Sequence, residues 1–294
     1  LFEYATGWPD PSTGFCISKN PWDLSRTPGG SSSGTGAAVA GGLILGGLGT
    51  DTGGSIRCPA SYCGISGLKP TYGRVSKDGC VPLGYSLDHI GPMARTARDC
   101  ALMLHVLAGH DPADPSTARI PVPDMTGMLD GSVTGVRIGV PREFFFTVSQ
   151  LAPEVKAAVE TAIAQLEDAG ATIVEVTIRY ADEARLAGRI TSSSEAYAYH
   201  LPDLQTQPEK YGKHARRSVL LGSVFSSAEY VQAQRFRTIF KAEVDAVLGP
   251  QADVLIVPTM PSVAPKSDEF SPLGFVTSPG FTPPWNLTGL PALS

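Results

Sequence analysis

Leu43-Ile-Leu-Gly-Gly-Leu-Gly-Thr-Asp-Thr-Gly-Gly-Ser-Ile-Arg57 runs from an apolar segment into a glycine–glycine–serine turn. A short apolar run closed by turn residues fits a strand with both faces covered, so Leu43 to Thr50 reads as a buried strand. Asp51-Thr-Gly-Gly-Ser55 leaves its end. Glycines allow consecutive N–H groups to point into one concavity, and the bare Gly53 and Gly54 leave room for a carbonyl against the main chain. Such a turn can stabilise an oxyanion while Ser55 attacks, provided a neighbouring base takes the serine proton. Taken alone, Gly-Gly-Ser is most often only a turn.

Upstream lies Thr27-Pro-Gly-Gly-Ser-Ser-Ser-Gly-Thr-Gly36, too polar and glycine-rich for a strand. Alone it reads most often as a flexible surface loop. Ala37 to Leu43 follows as a short helix of small residues. Gly30-Ser-Ser-Ser-Gly34 matches the Gly-x-Ser-x-Gly elbow of α/β-hydrolases, but that elbow needs a strand just before it. Asn20 to Pro28 carries two prolines and several polar residues, so this reading is rejected. No Gly-Lys-Ser/Thr ending supports a phosphate loop. The five histidines, His89, His105, His110, His200 and His214, offer no triad partner and read as core or solvated residues.

Downstream, Arg95 to Gly109 has helical apolar spacing, and Asp111 to Met128 is a proline-rich connection. Val136 to Val140 reads as a strand, and Pro153 opens a helix in which Val155, Val159, Ile163 and Leu166 recur on one face. Ala171 to Val176 is a strand, Ala181 to Leu248 is mostly helical, and Asp253 to Pro258 is a strand. Alternating strands and helices predict an α/β domain whose sheet is buried by helices on both faces. No repeat or linker forces a domain boundary.

A 294-residue chain that is 42% hydrophobic and 17% charged is that of an ordinary globular protein. A net charge of −5 and scattered basic residues give no support for direct nucleic-acid binding. No apolar run is long enough for a membrane span. Cys16, Cys58, Cys63, Cys80 and Cys100 are odd in number and lack zinc spacing. They read as small buried residues of a reducing compartment, which makes the cytoplasm the expected location; no metal or other cofactor is expected.

The order of motifs is more specific than any one of them. Thr27-Pro-Gly-Gly-Ser-Ser-Ser-Gly34, Leu48-Gly-Thr-Asp-Thr-Gly-Gly-Ser-Ile-Arg57, Cys63-Gly-Ile-Ser-Gly-Leu-Lys-Pro-Thr-Tyr-Gly-Arg74 and Ser86-Leu-Asp-His-Ile-Gly-Pro-Met-Ala-Arg95 together resemble the signature region of the amidase-signature family. Tyr4-Ala-Thr-Gly7, Asn20-Pro-Trp-Asp23, Gly139-Val-Pro-Arg142 and Asn286-Leu-Thr-Gly-Leu-Pro-Ala-Leu-Ser294 extend the likeness over the whole chain. It is dense from Asn20 to Arg95 and looser from Pro112 to Gly280. The resemblance implies an α/β amidase-signature fold with a mixed central sheet. Residues 1–294 would form a single domain, truncated at both ends.

The resemblance also implies a Ser–Ser–Lys mechanism, with Ser55 as nucleophile and Ser31 as the relay serine on a cis peptide. It places the oxyanion hole on the N–H groups of Thr52, Gly53, Gly54 and Ser55. Ser32, Asp51 and Arg57 become supporting residues that hold the two loops together. Ser33 stands where many relatives have glycine. The third member is a lysine that must be neutral to act as base, so its pKa has to fall. In relatives it lies on a strand well upstream. Lys19, 12 positions before Ser31, does not match its motif, and Lys69 belongs to a different one; neither is nominated. The expectation is a central fragment, inactive by itself, of an enzyme that cleaves linear carboxylic amides.

A small-molecule amide is the expected substrate, and a homodimer is the family's common state. The related alternative is the glutaminase subunit of a tRNA-dependent amidotransferase; His89 and Met93 favour a free-standing amidase. Tyr197, Tyr199 and His200, in the variable stretch from Glu195 to Gln234, could line a substrate pocket, although helix packing suits them better. A different class also fits the chain: a non-catalytic binding protein that keeps the fold without the base. A strand-borne lysine upstream of Leu1 separates the two.

Overall fold

The computed structural model describes residues 1–6, 8–9, 14, 16–127, 129–268 and 280–294. Gly7 of the Tyr4 motif and Met128 lie outside them. The described strands form two sheets. The first is antiparallel, in the order β1–β3–β2–β7, from β1 (Gly46–Asp51), β2 (Ser66–Lys69), β3 (His89–Ala94) and β7 (Ala292–Leu293). The second is parallel, in the order β5–β4–β6, from β4 (Arg137–Pro141), β5 (Thr172–Val176) and β6 (Val254–Leu255). With its helices the architecture is α/β, as the alternation predicts.

The first sheet carries α1 (Ser33–Ala40), α2 (Arg57–Cys63) and α3 (Ala97–Leu107). Val39, Ile56, Ala60, Cys63, Ile65 and Met93 form the apolar cluster between them. Thr96 starts α3 by accepting the Asp99 N–H, and Gly64 ends α2 in the left-handed region. The second sheet packs with α4 (Pro153–Asp168), α5 (Ala181–Thr206), α7 (Ser227–Asp245) and α8 (Pro283–Thr288), with α6 (Lys213–Leu220) between α5 and α7. Pro153 presets the first turn of α4, and Ser226 with Glu229 caps α7 reciprocally. Phe145, Phe240, Val244, Trp285 and Leu287 lie in the main core, where Ala184 and Ala187 let α5 approach its neighbours closely.

The sequence placed some boundaries wrongly. The strand begins at Gly46 rather than Leu43, and the run before it is not buried: Leu43 is 81% exposed and Leu45 95%. The reason is topological. β1 is an edge strand, and Leu43 to Leu45 form its approach from α1. Helix α1 begins at Ser33, four residues before the apolar run, because the serine loop supplies its first turn. The Asp253 strand shortens to two residues. Three cysteines, Cys58, Cys63 and Cys100, are buried as small apolar residues; Cys16 is exposed and Cys80 half-buried.

Candidate active site

Ser31 and Ser55 come together because each loop opens onto a helix of the first sheet. The chain enters α1 through Ser31 and Ser32, and enters α2 through Ser55 and Ile56. The two loops are stitched by Ser32. Its N–H donates to the Ser55 carbonyl at 3.2 Å, while its hydroxyl accepts from the Thr50 N–H at 3.2 Å. The Gly30–Ser31 peptide is cis. Ser31 is only 3% exposed, and its hydroxyl has no hydrogen-bond partner among the described residues. No direct hydrogen bond joins the two serine hydroxyls. The Phe2 N–H donates to the Ser31 carbonyl at 2.8 Å, so the N-terminal residues pack onto this loop.

Asp51 organises the Gly-Gly-Ser turn. Its carboxylate accepts from the N–H groups of Gly54 (2.8 Å) and Ile56 (3.2 Å) and from Asn286 Nδ2 (2.8 Å). Arg57 grips both carboxylate oxygens at 2.9 Å, in the fork geometry that makes such pairs strong. Burial alone would raise this carboxyl. The Arg57 charge and hydrogen bonds, helped by Lys69 and Asn286, outweigh burial and hold it well below the usual carboxylate range. Arg57 also donates to the Thr282 carbonyl (2.9 Å) and to Asn286 Oδ1 (2.6 Å), tying the turn to a segment 225 or more positions away. Thr282 answers by donating its hydroxyl to the Gly53 carbonyl at 2.7 Å.

This arrangement divides the four amides of the turn. The Gly54 N–H is directed at Asp51, whereas those of Thr52, Gly53 and Ser55 make no hydrogen bond within the described residues. Gly54 has φ +127°, and a methyl group there would lie 2.2 Å from Thr282 Oγ1. A methyl on Gly53 would meet only the Pro283 ring, at 4.0 Å. The strand-end turn therefore holds amides in place beside open space, the electrostatic preorganisation that acyl transfer requires.

Two buried groups that sequence reasoning left unassigned lie beneath the turn. The Lys69 ammonium donates to the carbonyls of Pro70 and Leu290 and faces His89 Nε2 at 3.2 Å. The Leu87 carbonyl, 2.6 Å from His89 Nδ1, fixes that nitrogen as the protonated one, so Nε2 accepts from Lys69. Burial and the Arg57 charge push the Lys69 amine down to about 7, against the pull of Asp51. Burial and Lys69 push His89 down to about 3, so its imidazole is neutral. Lys69 spans β2, β3 and the Leu290 segment, and no hydrogen bond joins it to either serine. No sequence signal short of the tertiary packing reveals this pairing.

A cleft of about 290 Å³ borders the turn through Thr50 and Thr52 and is lined by Lys77, Tyr85, Asp88 and Tyr199. Neither Ser31 nor Ser55 lines it. Asp88, inside it, is raised by burial, although Thr52, Gly84 and Leu83 all donate to its carboxylate. Of the residues considered for a pocket, Tyr199 reaches this cleft. His200 is buried in the core and bonded to the Tyr211 hydroxyl, and Tyr197 packs beside the cluster around Tyr211.

An α/β scaffold with a serine on a cis peptide, stitched to a Gly-Gly-Ser turn and braced by a buried Asp–Arg pair, defines the class. The Amidase family profile matches residues 3–294, and the chain belongs to that family. It is 44% identical, over 99% of its length, to a glutamyl-tRNA(Gln) amidotransferase subunit from Chloroflexus aggregans. The structure of the corresponding subunit from Thermotoga maritima superposes with a TM-score of 0.85 at 36% identity, covering 100% of this chain and 64% of that one. A structure described as revealing the evolutionary origins of an s-triazine catabolic enzyme superposes at 0.87 with 34% identity, covering 99% of this chain and 64% of that one. The chain spans 64% of the length of the Chloroflexus relative.

Proposed function

We propose that the protein containing this chain hydrolyses carboxylic amides through an acyl-enzyme on Ser55. The buried Ser31 hydroxyl without a partner, on a loop stitched to the Ser55 turn, carries this reading. Leaving a buried hydroxyl unsatisfied costs about 1–3 kcal/mol, so its retention marks a place where another group docks. Ser31 relays the Ser55 proton to a base as Ser55 Oγ attacks the amide carbon, then returns it to the departing amine or ammonia. Water later releases the acyl group by the reverse relay. The N–H groups of Thr52, Gly53 and Ser55 bind the oxyanion, while Gly54, Asp51, Arg57 and Ser32 hold the turn in place. We infer that the base is a lysine in the part of the relatives' length that this chain does not span, a reading supported by Lys19 and Lys69 making no hydrogen bond to Ser31 or Ser55 among the described residues.

A second reading is supported by the 44% identity to an amidotransferase subunit: the same chemistry applied to glutamine, with the ammonia passed to partner subunits. His89 and Met93 pull toward a free-standing amidase instead. Ammonia release from glutamine that rises on adding the partner subunits would favour the amidotransferase reading. The core proposal is tested by labelling the full-length protein with a fluorophosphonate and mapping the modified peptide. Label on Ser55, lost in Ser55→Ala and greatly slowed in Ser31→Ala, is expected. Full amide turnover by Ser55→Ala would refute it.

A further inference from the structure

Thr52 is the first residue beyond β1, and its side chain is held at both branches. β1 and β3 pair in a register that sets Thr50 opposite Ile90 and Asp51 opposite His89, so Thr52 falls opposite Asp88. The backbone ladder stops there, because the Asp88 N–H donates to the Gly84 carbonyl at 2.8 Å instead of crossing to the other strand. A side-chain bond takes its place: the Thr52 hydroxyl donates to Asp88 Oδ1 at 2.5 Å. The Thr52 methyl rests against Gly84, where an added Cβ would lie 3.0 Å from it and 3.3 Å from Ser192 of α5. Thr52 is buried and β-branched, with few χ1 choices, so holding both branches holds the backbone to which they are attached.

Asp88 is itself anchored by its own loop. The Leu83 N–H donates to one carboxylate oxygen at 2.9 Å and the Gly84 N–H to the other at 3.0 Å. With Thr52 that makes three donors on two acceptor-only oxygens, which a carboxylate satisfies and an amide, carrying donors of its own, does not. Burial pushes the Asp88 carboxyl above its usual range, and these three donors oppose it. The peptide before Thr52 is held from its other side. Its N–H shares a plane with the Asp51 carbonyl, which points the opposite way and accepts from Asn286 Nδ2 at 2.9 Å. The Thr52 amide thus has a set direction and no hydrogen-bond partner among the described residues.

We propose that Asp88 is a positioning residue for the reaction: through the Thr52 hydroxyl it fixes the direction of the Thr52 N–H toward the developing oxyanion. This assignment rests on the Ser55 reading above and adds a residue to it. No hydrogen bond joins Asp88 to Ser31 or Ser55 among the described residues, so it acts through Thr52. Without the clamp the Thr52 side chain turns freely, and its amide loses the fixed aim that makes a preorganised donor effective.

The test uses the full-length protein and two probes of Ser55: a fluorophosphonate whose labelling rate is followed to saturation, and phenylboronic acid as its reversible competitor. Boron bonds to Ser55 Oγ, the serine proton passes to the relay, and the tetrahedral anion presents an oxygen to the oxyanion donors. Thr52→Val replaces the hydroxyl by a methyl of similar size. It should lower the maximal labelling rate and the phenylboronic acid affinity by about 30-fold each, with the half-saturating fluorophosphonate concentration within about threefold of wild type. Thr52→Ser keeps the hydroxyl and should recover most of both. Asp88→Leu should match Thr52→Val, and the double variant should lose no more than about threefold beyond either single one, since each removes the same bond. If Asp88→Leu does not fold, the contrast between valine and serine at Thr52 decides alone. Unchanged maximal rate and boronate affinity in Thr52→Val, no recovery in Thr52→Ser, or an additive double variant overturns the proposal. No label on Ser55 in the wild type removes the nucleophile assignment and the clamp with it; Ser55 labelled at an undiminished rate in Thr52→Val removes the clamp alone.

Discussion

Replacing Arg57 by methionine removes the charge that makes the buried Asp51 carboxylate of the Gly-Gly-Ser turn tolerable. The Arg57 and Asp51 side chains are 3% and 0% exposed, and two hydrogen bonds of 2.9 Å join them. Breaking a buried pair on one side leaves the other charge uncompensated, at a cost of about 3–5 kcal/mol. The Thr282 carbonyl and Asn286 Oδ1 also lose their donor, so the upper end is expected. That is a large share of the roughly 5–15 kcal/mol that holds a typical domain folded. Urea denaturation of the full-length protein should report it, and Arg57→Met with Asp51→Asn should cost less than the two single changes summed. The pH dependence has a definite sign. Asp51 has a folded-state carboxyl below its unfolded value of 3.8, so its contribution is complete above that value and is lost as pH falls through the folded one. Without Arg57 the dominant influence is burial, which raises the carboxyl, and the variant is then penalised as pH rises through that raised value. The stability gap between wild type and variant should therefore be widest near neutrality and narrow in acid. A gap below about 1 kcal/mol at pH 7, or one that widens in acid, would refute the reasoning.

Gly53→Ala should leave the denaturation midpoint nearly unchanged, because the added methyl meets only Pro283 at 4.0 Å, yet it should slow labelling of Ser55 by crowding the carbonyl site. Gly54→Ala should instead destabilise by about 1–3 kcal/mol, from its φ of +127° and the contact with Thr282, as read by the same denaturation experiment. Phe240→Ala, in the fully buried centre of the main core, should cost about 3–5 kcal/mol in urea without altering the labelling rate of the remaining folded protein. Ser226→Ala breaks the reciprocal cap of α7 and should cost about 1 kcal/mol, visible as a shift in the thermal midpoint.

Local sequence determined a good deal. Helical periodicity from Val155 to Ile163 and the proline at 153 set α4 to within a residue or two, since both signals act within a turn of the chain. Thr27 to Ser32 was legible as a loop for the same reason, although Ser33 to Gly36, read with it, form the first turn of α1. The order of the serine loop, the Gly-Gly-Ser turn and the Lys69 motif identified the family, and with it Ser31, Ser55 and the supporting places of Ser32, Asp51 and Arg57 as expectations; that Asp51 pairs with Arg57 came from the structure. Apolar content misled at Leu43 to Leu45, because whether a strand lies inside a sheet or at its edge depends on its neighbours, and β1 pairs only with residues 89–94, among the described strands.

Only the tertiary structure decided how the site is braced. Asn286 and Thr282 reach the Gly-Gly-Ser turn from more than 200 positions away, and Lys69 meets His89 across adjacent strands. The Gly54 amide turned to Asp51 is equally invisible in one dimension. Motifs are local and survive in the order of residues. A buried charge is defined by what surrounds it, and its surroundings exist only once the chain has closed on itself.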